Sequence, residues 1–146
     1  MKAEDIEFEV IQDLLVSTVL TITAAMVSGG IKKLSVLFLD ILFAWGINLL
    51  IGFLVPEKKI GAKLIQLLKM ERTKAAFYIM MLVIVVINVL GISACAVLKN
   101  VGLSPVFWPA WTGLLPILMV VGYIAAIAFF PVTSMIVKGL NRKKAN

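Results

Sequence analysis

The chain has 146 residues, of which 62% are hydrophobic, a mean hydropathy of +1.07 and a net charge of +6. Soluble domains are nearer half apolar, so this composition excludes an ordinary soluble fold and leaves no room for a soluble domain beside the apolar segments. A lone cysteine, Cys95, and the absence of histidine exclude an intrachain disulfide and argue against zinc, haem or copper, so no metal, cofactor or catalytic residue is expected.

The opening MKAEDIEFEVIQD is mostly acidic, where a secretory signal carries a basic start. The first apolar run, 11–30, is therefore expected to be retained as a helix. Three more runs follow, at 34–55, 75–98 and 108–137. Each reaches the ~20 residues that bridge ~30 Å of hydrocarbon. They are continuous rather than alternating, which argues against a barrel. The expected fold is all-α: a polytopic membrane protein with four transmembrane helices in a single domain over 1–146.

In the first run Ser17, Thr21 and Ala25 recur every four residues, a small-residue stripe that lets helices approach closely. In the second, Asp40 is the one charge well inside any run, and Asn48 lies deeper. A carboxylate at depth turns toward protein or water, so Asp40 is either an ion- or proton-coupling group or an interfacial acid reaching Lys33 or Lys99. Its nearness to the outer boundary favours the second reading.

After Pro56, the segment EKKIGAKLIQLLKMERTK puts Ile60, Leu64, Leu67 and Leu68 on one helical face with lysines elsewhere. This is either an extension of the second helix or a helix on the membrane surface, with Lys58, Lys59 and Lys63 facing anionic headgroups. In the third run, Asn88 is expected to bond to another helix, and Gly91 and Cys95 repeat the small-residue spacing. Thr21, Ala25, Gly91 and Cys95 are thus expected to form a central seam between the first and third helices, leaving the large residues of the second and fourth to lipid. In the fourth run Trp108 and Trp111 mark an interface, Pro116 a kink and Pro131 either the inner end or a bent continuation to Lys138.

The positive charge belongs to the helix ends rather than to a nucleic-acid surface. Eleven Lys and Arg fall on the side of the two termini and the central loop; Lys32, Lys33 and Lys99 fall on the other. The expected orientation has both termini in the cytoplasm.

The chain also resembles itself. Val16–Val27 over Val86–Val97 gives six identities in twelve positions, and GFLVP and AFFP align Pro56 with Pro131. This reads as two tandem parallel helical-hairpin repeats, about 11–70 and 75–140, with a pseudo-two-fold axis along the membrane normal. A small-residue helix, a short loop and an aromatic-rich helix closing on Phe-x-Pro or Phe-Pro before a lysine resembles the two-helix repeat of a bacterial membrane family defined only as a domain of unknown function. The second unit, NVGLSPVFWPAWTGLLPILMVVGYIAAIAFFP, is the nearer match; the first departs at SGGIKK. The resemblance implies the fold and a bacterial inner membrane, and carries no activity.

An enzyme is not expected, because no nucleophile–base pair, carboxylate pair or ligand set stands in the apolar runs. A membrane module acting through helix packing, on itself or on another membrane protein, is the leading expectation. The alternative is an oligomeric transporter or channel for a small solute or cation, lined by Asp40, Asn48 and Asn88.

Overall fold

The computed structural model describes residues 3–30, 33–70 and 74–144, with side-chain environments for 6–30, 33–70 and 74–141. Lys2, Lys32 and Arg72, three of the charges assigned to helix ends, lie outside the described residues. The elements are all helical: α1 (Ala3–Val27), α2 (Leu34–Leu54), α3 (Glu57–Leu67), α4 (Lys74–Val101) and α5 (Phe107–Lys144). All but α3 are long and apolar enough to cross a membrane.

The helix ends follow from local chemistry. α1 stops where Gly29 and Gly30 take φ of 107° and 94°, and the Gly30 N–H returns to the Ala25 carbonyl at 2.9 Å, closing a Schellman motif. α3 closes the same way, with Met70 N–H on Ile65 O at 3.1 Å, although Lys69 occupies the left-handed position at φ 54°. Proline-56 separates α3 from α2, so the basic segment is a helix of its own. One boundary differs from expectation: α1 begins at Ala3, not near residue 11, since acidic residues suit a helix N-terminus. α5 runs through both Pro116 and Pro131, so of the two readings of Pro131 the continuation past Lys138 is the one found.

Each long helix has two long neighbours: α1 packs against α2 and α5, and α4 against α2 and α5, with α3 laid along α4. α1 and α4 therefore stand diagonally across the bundle. This corrects the expected seam between them. Gly91 meets the Ile51 side chain of α2, not α1. The reason lies in α5, which turns Gly122, Ala125 and Ala126 inward. A Cβ at Gly122 would stand 3.1 Å from Val89, 3.2 Å from Leu20 and 3.4 Å from Val85, so α1, α4 and α5 converge at this glycine. Thus α5 shares the interior instead of only facing lipid. Its outer face and that of α2 still carry exposed apolar side chains such as Phe38, Phe53, Val120 and Ile124.

The two hairpins, α1–α2 and α4–α5, do not bury the same faces under the 70-residue alignment. It places buried Leu20 over half-buried Leu90, and half-buried Val19 over buried Val89.

Candidate functional site

The bundle has two polar ends of different character. At the end where α1 meets α2 and α4 meets α5, a cavity of about 690 Å³ opens among the helices. Thr21, Ala25 and Ala96 line it, with Lys33, Asp40 and Lys99 also contributing. The small side chains leave this space because nothing bulky on the facing helices fills it.

Asp40 belongs to this rim. Lys99 Nζ lies 2.5 Å from Asp40 Oδ1, and both side chains remain substantially exposed, at 46% and 39% respectively. Lys99 also stands 5.0 Å above the Phe43 ring. Lysine-99 is thus held by a carboxylate and a π face together. Of the two lysines considered for Asp40 from sequence, Lys99 is the one paired with it. Trp108 is exposed nearby, whereas Trp111 turns inward and its Nε1 donates to Ser93 Oγ at 2.8 Å.

The opposite, α3 end is closed by hydrogen bonds and buries the polar groups Gln12, Glu57, Asn88 and Thr133. Gln12 Nε2 donates to the Ala126 carbonyl at 2.8 Å, and Thr133 Oγ1 donates to Gln12 Oε1 at 2.7 Å, tying α1 to α5. Phe8, Phe130 and Phe77 stack edge to face beside them. Trp45 Nε1 donates to the Val10 carbonyl at 3.2 Å, which ties α2 to α1. Lys58 pairs with Glu9.

Asn88 reaches into this end. It is buried on α4, and its Nδ2 donates to Glu57 Oε2 at 3.4 Å. Glu57 opens α3 on the face that also buries Gly61 and Ile65. Its carboxyl is pushed up from 4.5 to about 7, chiefly by burial, then by Asp13 and Glu9; the Asn88 bond and Lys58 pull the other way. Among the described residues, Glu57 Oε1, Asn88 Oδ1, Asn48 Oδ1 and Ser17 Oγ are buried with no hydrogen-bond partner.

Of the residues singled out from sequence, Asp40 thus sits at the cavity, and Asn48 and Asn88 lie in the interior. Thr21 and Ala25 line the cavity; Gly91 belongs to the α2–α4 contact, and Cys95 is half-buried and free. Sequence reasoning passed over Glu57, Asp13, Gln12 and Thr133. One signal was present: Glu9 and Asp13 share a helical face at i, i+4, directly before the apolar run.

Anionic headgroups were assigned to Lys58, Lys59 and Lys63, and all three are exposed. The apolar residues Ile60, Leu64, Leu67 and Leu68 point outward with them. No protein-family model, no curated protein and no solved structure matches the chain.

Proposed function

We propose that this chain is a non-enzymatic, multi-pass membrane module that works through helix packing, on further copies of itself or on another membrane protein. The observation that carries the reading is where its polar groups go. Gln12, Trp45, Trp111, Tyr123 and Thr133 all bond across helices, while α2 and α5 present apolar side chains outward. Such a molecule offers lipid or a partner helix a dispersion surface rather than reactive groups.

In the proposed setting both termini and α3 face the cytoplasm, as the eleven-to-three charge distribution favours. The outward apolar face of α3 and the exposed Lys59 and Lys63 support contact with anionic lipid. Tandem repeats and a bacterial inner membrane remain part of the proposal, on the residues that resemble the two-helix repeat family. The neighbour pattern supports the repeat, since exchanging α1 with α4 and α2 with α5 leaves it unchanged.

Purification in detergent tests the module reading: a defined oligomer or a co-purifying membrane subunit is expected, and a strict monomer without partner overturns it. Reporter fusions at Gly102 and Asn146 should label opposite sides of the membrane, with Asn146 inside.

The inter-helix cavity favours a second reading, passage of a small solute or cation past Asp40. That reading requires Asp40→Asn to abolish a measurable flux in liposomes while the protein remains folded and inserted.

A further inference from the structure

We propose that the α3 end contains a proton-binding site, in which a protonated Glu57 carboxyl and the Asn88 carboxamide form a two-hydrogen-bond ring that latches α3 onto α4.

The geometry supplies half of this ring. Asn88 Nδ2 already donates to Glu57 Oε2 at 3.4 Å. The remaining oxygens of the same two groups, Glu57 Oε1 and Asn88 Oδ1, are both buried without a partner. Glu57 is only 8% exposed and Asn88 7%. An ionised carboxylate and an amide oxygen are both acceptors, so the second corner of the pair lacks a hydrogen. A proton on Oε1 supplies it: the acid O–H donates to Asn88 Oδ1, the amide N–H donates to Oε2, and both orphaned acceptors are satisfied. Left unmet, each buried acceptor costs stability, because it has given up water without gaining a donor.

The surrounding charges favour the same state. From α1, Glu9 and Asp13 both act to hold the Glu57 proton on. On α3 itself the neighbouring cation is Lys58, which is engaged by Glu9. From α4 the facing group is Asn88, which is neutral. The exchange is simple: the O–H bond of Glu57 breaks, the proton passes to water, and a carboxylate is left against the Asn88 oxygen.

The sign of the linkage follows. Glu57 holds its proton more tightly in the folded chain, up to about 7, than in the unfolded chain at 4.5. Its stabilising contribution is therefore full below the unfolded value and is lost as pH rises through the folded one.

The test is made on the full chain in detergent. Wild-type protein should lose roughly 5 °C or more in thermal midpoint between about pH 5 and about pH 8. Glu57→Gln places an amide N–H where the acid O–H stood, so it should fold and flatten that slope. Infrared spectra of the wild type near pH 6 should contain a protonated-carboxyl C=O band that Glu57→Gln removes. A variant slope equal to the wild-type slope would overturn the site, as would a wild-type spectrum with no such band. High-pH loss reversed by sodium but not by choline would overturn the proton and give the two oxygens to a metal cation. If Glu57→Gln does not fold, Asp13→Asn takes its place: the band should persist there as that of Glu57, and its disappearance would overturn the site.

Discussion

Asp40 and Glu57 are both carboxylates beside a nitrogen donor on α4, yet they sit at opposite ends of the bundle and do different work. Asp40 rests on a cavity rim, half wet, against a full cation. Glu57 is buried against a neutral amide, with two further acids near it. Water screens the first pair, which makes the charge cheap to hold and its removal cheap as well. Burial and the neighbouring acids act on the second, and they raise its carboxyl above the usual range. In an apolar bundle the position of a carboxylate relative to the helix ends therefore decides more than its partner does.

The largest way to break this contrast is to force the two ends apart where they join. Gly122→Leu should cost about 3 kcal/mol or prevent folding, because Val89, Leu20 and Val85 already surround the position. Denaturant unfolding in mixed micelles measures this. Gly91→Leu should cost less, about 1–2 kcal/mol, since only the tip of Ile51 must give way.

Next, Gln12→Leu cuts both bonds that tie α1 to α5 at the closed end and leaves the Thr133 hydroxyl without its acceptor. A loss of about 2 kcal/mol is expected. If Gln12→Leu proves neutral, α1 and α5 are held at this end by the Phe8–Phe130 contact rather than by hydrogen bonds. Ser93→Ala leaves the Trp111 indole N–H unpaired beside the cavity and should cost about 1 kcal/mol, with a shift in tryptophan fluorescence as the direct readout.

Smallest is Asp40→Asn, at about 0–1 kcal/mol, attenuated further by salt. A larger, salt-insensitive loss would show that the rim is drier than its exposure indicates.

The four long helices were legible because hydrocarbon imposes length and apolarity without regard to partners. The Asp40–Lys99 pair was legible because both charges had to share one end. The Glu57–Asn88 contact was not, since 31 residues separate the two and nothing local joins them. Gly122 was hidden in a run that is apolar almost throughout, and periodicity cannot mark an inner face when lipid accepts the outer one. In α3 the apolar face of Ile60, Leu64 and Leu67 was legible and is exposed, whereas the buried face of Glu57, Gly61 and Ile65 carries no apolar pattern that could mark it. The aligned halves were legible as letters, yet their buried faces are out of phase, so identity along the chain did not carry over to position in the core.

α5 is a single helix of 38 residues, about 57 Å long at 1.5 Å per residue, against a hydrocarbon slab of about 30 Å. It is a beam that overhangs the membrane, touching the cavity rim through Trp111 and the closed end through Phe130 and Thr133. Its stiffness is uneven, because Pro116 and Pro131 each remove a backbone donor and soften the rod there. Bending loads applied at either end will concentrate at these two joints, and the stretch between them, which holds Gly122 and Ala126, will move as one rigid link.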